Sequence, residues 1–476
     1  MPDPTRIVII GAGTGGYVAA IRAAQFGATV TLIESAAVGG LCLNWGCIPS
    51  KSLLACAELA QKIKKAGEFG ITITGSVTYD LALMIERKNR VVAGLVKGVR
   101  SLLKTWNVEV IDGRGSLMTP TTVRVVKPDG IEMTVQADAI IISTGTTAPS
   151  LPNLVLDGTH LISSREALDL ATIPDSLVIV GGGVEGCEFA SLFSVLGAKV
   201  TIVEMLPRIL STEDEEVSAL LTAELKKLGV TILVNTRVKQ AAVEGERVTI
   251  TLADGRAMLP AKVLVSIGRP FNTGGKADTD TLGLHATGIE LGPRGEILVN
   301  ERMETTVPGV YAIGDVTGKA MLAHVASAQG KVAVGNILGR PTTMSYDVIP
   351  TGIFTFPEVG RVGLTEQEAR QRGMKVKIGK FRPIGLGKAH ASGETTGLMK
   401  IVTDAATGKI VGAHLVGAHA ADLIHEAAVA IQMGATAATL AETIHAHPTM
   451  AESMLEAAED VDGMAIHLAR RKVGSV

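Results

Sequence analysis

Ile7-Val-Ile-Ile-Gly-Ala-Gly-Thr-Gly-Gly16, leading through a helical stretch to Phe26-Gly-Ala-Thr-Val-Thr-Leu-Ile-Glu34, has a second copy downstream. That copy is Val178-Ile-Val-Gly-Gly-Gly-Val-Glu-Gly186, leading to Leu196-Gly-Ala-Lys-Val-Thr-Ile-Val-Glu204. In both, an apolar run ends at the first glycine and an acidic residue follows 23 positions later, from 11 to 34 and from 181 to 204. Strand, glycine turn, helix and second strand form a βαβ unit of the kind that holds a dinucleotide. Gly11 allows the tight turn, Gly13 lets the backbone approach a pyrophosphate, and Gly16 permits close helix packing; Gly181, Gly183 and Gly186 repeat the set. The helix N-terminus then faces the phosphates, and Glu34 or Glu204 accepts hydrogen bonds from ribose hydroxyls. Two such units imply two different dinucleotides. Glu204 would repel a 2′-phosphate, and Met205-Leu-Pro offers no cation before Arg208, so the second unit reads as an NAD site rather than an NADP site.

Working outward, 476 residues suffice for about three domains of ordinary size. The expected class is α/β, with two Rossmann-like dinucleotide-binding domains and a C-terminal α+β domain. The first unit occupies 1–150, ending in the polar crossing Ser143 to Pro152, and the second occupies 151–270. A central segment, 271–345, carries the strand Val310 to Ile313 and an apolar helix around Met321 to Gly330. From 346 to 476, strand-like runs (Ile353 to Phe356, Gly397 to Thr403, Ile410 to Val416) give way to alanine-rich helices at Asp422 to Met433 and Ala451 to Ala458. The formal charge of −2, from 45 Lys+Arg and 47 Asp+Glu, speaks against a nucleic-acid or membrane-surface partner. No apolar run approaches the roughly 20 residues that span a bilayer. The chain enters the strand Ile7 to Ile10 almost at once, leaving no room for a signal peptide, and a cytoplasmic location is expected.

Four cysteines, at 42, 47, 56 and 187, are too few for a secreted disulfide framework. Cys42-Leu-Asn-Trp-Gly-Cys47-Ile-Pro-Ser-Lys51 follows Gly39-Gly40 and precedes a helix expected over Ser52 to Ala66. Neither C-x₂-C spacing nor neighbouring ligands suggest zinc. A dithiol is the better reading: a chain that begins to coil brings the two sulfurs together, and a helix N-terminus lowers a thiolate pKa. Cys56 reads as a small core residue.

With these residues in view, the sequence resembles the pyridine nucleotide–disulfide oxidoreductases along essentially its whole length. Gly39 to Lys51 is similar to the branch that oxidises protein-bound dihydrolipoamide. The resemblance implies FAD in the first unit and NAD in the second. It implies that Cys47 lies against the flavin as a thiolate, that Cys42 exchanges with the substrate, and that Lys51 pairs with Glu188 beside the flavin. Thr305 to Asp315 resembles the second FAD motif, in which Gly314 precedes the aspartate, Asp315, that binds the ribityl chain. The helix beginning near His324 would aim its positive end at the flavin. Ser143-Thr-Gly145 resembles the linker closing the first domain, and Val263 to Arg269, with Gly268, the turn ending the second. Near the C-terminus, His447 would be the acid–base group for the incoming thiol and Glu452 its orienting partner, with a cis His447–Pro448 bond and no role assigned to His445. The resemblance also implies a homodimer in which the histidine serves the other subunit's dithiol. The partner implied is a lipoyl-bearing protein of a 2-oxoacid dehydrogenase complex or of the glycine cleavage system. No lipoyl segment precedes the first glycine unit, so the carrier is expected to be another protein.

Two alternatives stand beside this reading. A glutathione-reductase-like disulfide reductase is opposed by Glu204 and by Ile48-Pro-Ser-Lys51; a non-catalytic flavin-bound structural or sensing subunit would be expected to lose the dithiol or the His447–Glu452 pair. A mercuric reductase would need a further cysteine pair, and no cysteine follows 187. Glu185 departs from the pattern, standing where relatives carry an apolar residue near the nicotinamide.

Overall fold

A computed structural model describes residues 3–149, 151–245, 247–274 and 280–469. Ser150, the expected end of the first domain, lies outside them, as do 275–279 of the third expected region and 470–476 of the fourth. The first glycine unit opens with β1 (Arg6–Ile10), α1 (Thr14–Gln25) and β2 (Thr29–Glu34). The chain then leaves the sheet for α2 (Gly40–Trp45), α3 (Cys47–Lys64) and α4 (Leu81–Thr105) before returning as β3 (Glu109–Asp112). A meander of β4 (Arg114–Thr119), β5 (Thr122–Val126) and β6 (Glu132–Gln136) leads into β7 (Ala139–Ile142).

The second unit follows the same plan. After β8 (Leu161–Ile162) and the short α5 (Ser164–Ala167) come β9 (Ser176–Val180), α6 (Val184–Leu196), β10 (Lys199–Val203), α7 (Glu215–Lys227) and β11 (Thr231–Leu233). A second meander, β12 (Val238–Glu244), β13 (Arg247–Leu252) and β14 (Ala257–Met258), precedes β15 (Lys262–Val265). In the first sheet β1 lies between β2 and β7, with Ile10 beside Ile33 and Ile142. In the second, β9 lies between β10 and β15, with Val180 beside Val203 and Val265. All these pairings are parallel, so each glycine turn leaves the carboxyl end of a central strand, where such sheets bind ligands. Both faces of β1 are buried, as parallel strands require: Ile7 and Ile9 pack with Ala19 and Ala23 of α1, Val8 and Ile10 with Val123 and Val125 of the meander.

The third region contributes α8 (Leu284–Thr287), β16 (Val310–Ala312) and α9 (Ala323–Ile337). Among the described residues it has no sheet of its own. β16 joins the edge of the first sheet, Ala312 beside Ile142, and α9 packs on α1. The C-terminal region holds β17 (Thr351–Ile353), β18 (Glu358–Gly363), α10 (Glu366–Gln371), β19 (Val376–Phe381), α11 (Gly387–Ser392), β20 (Leu398–Asp404) and β21 (Ile410–Gly417). Its antiparallel sheet, ordered β17-β18-β21-β20-β19, carries α12 (Ala420–Gln432) and α14 (Glu452–Asp460), with α13 (Ala437–Ala441) between them in sequence. Ile353 to Phe356 is not the strand expected from its apolar run. β17 stops at Ile353 and the chain turns through the cis Phe356–Pro357 bond into β18, since proline has no N–H to offer a ladder. No helix among the described residues is long and apolar enough to cross a membrane.

The second and C-terminal units are joined by a buried charge cluster. Lys400 Nζ on β20 lies 3.0 Å from Asp214, at the start of α7, and 2.8 Å from both Glu216 and Glu366; the Lys400 and Asp214 side chains are 0% exposed. Such a cluster adds little over an apolar contact while intact, but removing its cation strands the carboxylates. Replacing Lys400 with Met should therefore cost about 3–5 kcal/mol, read as a lowered urea midpoint.

Candidate active site

The two glycine turns end in helices without side-chain caps. Gly13 precedes α1 and Gly183 precedes α6, and a Cβ at either would meet nothing within 4 Å. The first-turn N–H groups therefore face open space, an arrangement suited to a pyrophosphate. Gly11 and Gly181 lie against the carbonyls of Ser143 and Ser266, and Gly16 and Gly186 back onto them. Glu34 accepts the N–H groups of Ala12 (2.7 Å) and Ala36 (2.8 Å); Glu204 accepts those of Gly182 (2.6 Å) and Leu206 (2.7 Å). Each carboxylate is thus fixed beside its turn and keeps lone pairs for a ribose. Arg208, the first cation after Glu204, donates to the carbonyls of Glu213 (2.7 Å) and Ser211 (2.9 Å). It is turned into its own loop, away from the role a 2′-phosphate would need. By donor set and space, the residues fit two dinucleotides.

The crossings between units run side by side: Gly145 O accepts the Asn272 N–H at 2.9 Å, and Arg269, after Gly268, donates to Thr146 Oγ1 at 3.1 Å. Burial lowers the basicity of Arg269, while Glu185 and Asp315 act in the opposite sense. Glu185 thus has a cation in its field. Burial raises the Asp315 carboxyl, with Arg269 opposing. The N–H of Gly314 donates to Gln329 Oε1 (2.6 Å), whose amide in turn donates to Tyr346 (2.9 Å). His324 is the second residue of α9, its basicity lowered by burial.

The dithiol is seated on the first glycine turn. A Cβ at Gly40 would stand 2.6 Å from Gly13 Cα, and the Gly39 N–H donates to Ala12 O at 2.8 Å. α2 starts there, carries Cys42 and breaks at Gly46, and α3 begins at Cys47 itself, five residues earlier than expected. Pro49 is tolerated there, because in a first turn its missing N–H has no intrahelical partner to lose. Cys47 consequently sits at the positive end of a long helix, which favours its thiolate. Both cysteines are thiols here. The Cys42 Sγ–H donates to Cys47, which pulls Cys47 down to about 7 from an ordinary 9.0; burial opposes this, and Lys51 assists. The same hydrogen bond, together with burial, pushes Cys42 up. Lys51 Nζ holds both oxygens of Glu188 on α6 (2.9 and 2.7 Å) and lies 4.8 Å from the centre of the Phe354 ring, while the Phe354 N–H donates to Glu188 at 2.9 Å.

His447 is elsewhere, on the C-terminal unit, with its side chain 75% exposed. Its Nδ1 lies 2.9 Å from Glu452 Oε1, Glu452 Oε2 accepts the Thr449 N–H at 2.8 Å, and the His447–Pro448 bond is cis. Cys187 is fully buried, burial raising its thiol; Cys56 is only partly buried and donates to Ser52 O at 3.4 Å.

Several residues at the site were not singled out from sequence. Gln329, fully buried within an apolar helix, carried a usable signal, because a buried amide needs partners. Phe354 and Arg165, whose guanidinium lies 4.4 Å from the Trp45 ring between the two cysteines, carried none.

The sulfur asymmetry can be titrated. Ultraviolet thiolate absorbance of the reduced protein should rise with pH through a midpoint near 7. Cys42→Ala should move the midpoint upward, since it removes the leading cause of the depression, and Cys47→Ser should abolish the transition.

Comparison with known proteins agrees with this geometry. Residues 5–330 match the pyridine nucleotide-disulphide oxidoreductase family and 349–458 its dimerisation domain. The chain is 43% identical over 451 residues to the dihydrolipoyl dehydrogenase of Chlamydia pneumoniae, covering 95% of each chain. It is 41% identical over 483 residues to that of Bacillus subtilis, covering 97% of this chain and 98% of the other. Among solved structures, LpdA of Mycobacterium tuberculosis superposes with a TM-score of 0.90 at 30% identity, over 96% of this chain and 99% of that one. The HOCl-induced flavoprotein disulfide reductase RclA of Escherichia coli gives 0.85 at 28% identity, over 96% and 99%. By sequence along nearly its whole length and by fold, the chain belongs to the pyridine nucleotide-disulphide oxidoreductases.

Proposed function

We propose that this protein oxidises dihydrolipoyl groups carried by a 2-oxoacid dehydrogenase complex or the glycine cleavage system, reducing NAD⁺ to NADH. The observation that carries the reading is the unequal dithiol: Cys42 keeps its proton and Cys47 tends to the thiolate. That is the state a dihydrolipoyl group leaves behind. In the proposed sequence, the partner subunit's His447, oriented by its glutamate, takes a proton from the incoming thiol. The resulting thiolate attacks Cys42 of the Cys42–Cys47 disulfide, forming a mixed disulfide and expelling Cys47 as thiolate. The second substrate thiol then displaces Cys42, which leaves with the proton, and the lipoyl disulfide departs. Lys51 stabilises the Cys47 thiolate, and Glu188 holds Lys51 in place. When bound, FAD would supply the two-electron redox chemistry that links the dithiol to NAD⁺. Gly13, Glu34, Gly314 and Asp315 are assigned to FAD, Gly183 and Glu204 to NAD.

A homodimer is supported by the dimerisation-domain match and by the outward-facing His447, and four cysteines, too few for a secreted disulfide framework, suit a reducing compartment such as the cytoplasm.

Steady-state assays decide the substrate. NADH should form from NAD⁺ and dihydrolipoamide, and Cys42→Ser or Cys47→Ser should abolish this while leaving FAD bound. Turnover confined to NADPH and glutathione disulfide would sink the assignment. For the nucleotide, Glu204→Ala removes charge-assisted hydrogen bonds of about 1.5–3 kcal/mol. It should lower kcat/KM for NAD⁺ roughly 10- to 100-fold and narrow the preference over NADP⁺.

A further inference from the structure

Two residues before His447, a second imidazole–carboxylate contact is left unused by the scheme above. His445 Nε2 lies 2.7 Å from Glu426 Oε1 on α12, its Nδ1 lies 2.8 Å from Thr443 O, and its side chain is only 5% exposed. Both partners are acceptors, whereas a neutral imidazole carries a single N–H. The ring is held at both nitrogens, on one side by the α12 carboxylate, itself 31% exposed, and on the other by its own loop.

The position of this contact gives it significance. The loop from Thr443 to Thr449 bridges two helices. At one end His445 fastens it to α12; at the other, Glu452 of α14 holds His447 Nδ1 and the Thr449 N–H, and Thr449 Oγ1 donates to Ala446 O at 2.7 Å. The loop is otherwise open to solvent, with Ile444, just ahead of the His445 fastening, 97% exposed. Glu452 fixes the direction of the His447 ring and holds the Thr449 end of the loop to α14; the link to α12 holds the His445 end. It also refers the loop to the helix that exposes Val429 (65%) and Met433 (79%), an apolar face in the unit assigned to dimerisation.

We infer that His445 and Glu426 are positioning residues for the thiol step, a clasp that sets the reach of His447 toward the substrate sulfur. The inference rests on His447 being the thiol base. A displacement of about 1 Å at a proton-transferring group costs on the order of a hundredfold in rate.

Two amide replacements separate the contacts, because Gln sets its amide nitrogen near the place of Nε2 and Asn near that of Nδ1. His445→Gln keeps the donor to Glu426, while His445→Asn keeps only the local contact to Thr443. With dihydrolipoamide and NAD⁺, His445→Asn and Glu426→Ala should lower kcat about a hundredfold, His445→Gln should recover most of it, and KM for NAD⁺ should hold. NADH-driven reduction of ferricyanide, which bypasses the thiol base, should be unchanged in all three, as should dimer mass and bound-flavin absorbance. Parallel losses in both reactions, or a dissociated dimer, would mean a structural role and overturn the inference. So would full lipoamide turnover in His445→Asn and Glu426→Ala while His447→Gln is inactive. If His447→Gln itself retains full turnover, the thiol-base reading fails and the clasp falls with it.

Discussion

The approach of Gly40 to Gly13 is the constraint on which the site depends. Any side chain at Gly40 would place a carbon 2.6 Å from Gly13 Cα, so the contact requires glycine at position 40. It locks the start of α2 onto the turn that faces the first dinucleotide, and the short α2 then carries Cys42 and delivers the chain to Cys47 at the head of α3. Elsewhere the two glycine units are built alike, with a central strand, matching neighbours and a clamped glutamate. What distinguishes the first is the excursion through α2, α3 and α4, inserted where the second unit passes from β10 through α7 to β11. A sheet that binds a dinucleotide becomes a redox site because this excursion is pinned against the binding turn.

Electrostatics then makes two similar thiols different. Cys47 has the helix end, the Cys42 hydrogen bond and Lys51 in its favour; Cys42 has burial against its charge. Lys51 belongs to the first unit, its carboxylate partner Glu188 to the second, and the Phe354 ring and N–H that hold the pair to the C-terminal region. Three units meet at one ammonium group, so the charge that tunes the sulfurs is in place only when all three are assembled. The Lys400 cluster, joining the second and C-terminal units, serves that same assembly.

The parts legible in the sequence are those governed by local rules. Strand periodicity, glycine spacing, the acidic residue at the end of each second strand and the paired cysteines are all contained within short windows, and they yield the α/β class, two dinucleotide turns and a dithiol. The resemblance carried the reading on to Lys51 with Glu188 and His447 with Glu452, pairs the structure brings into contact. What stayed hidden depends on distant contacts. Nothing near Val310 says that its strand extends the first sheet rather than starting a new one. The alternating residues of the two meanders resemble loops until they are paired, and a lysine at 400 looks like a surface residue until three carboxylates from two other helices surround it.

The central claim is a division of labour in which Cys42 meets the substrate and Cys47 meets the flavin. Oxidised lipoamide, added to Cys47→Ser and Cys42→Ser dimers and followed by iodoacetamide to trap the freed lipoyl thiol, tests it by peptide mass mapping. The account predicts a lipoyl mixed disulfide on Cys42 in the first protein and none on Cys47 in the second. An adduct on Cys47, or an unmodified Cys42, would contradict it.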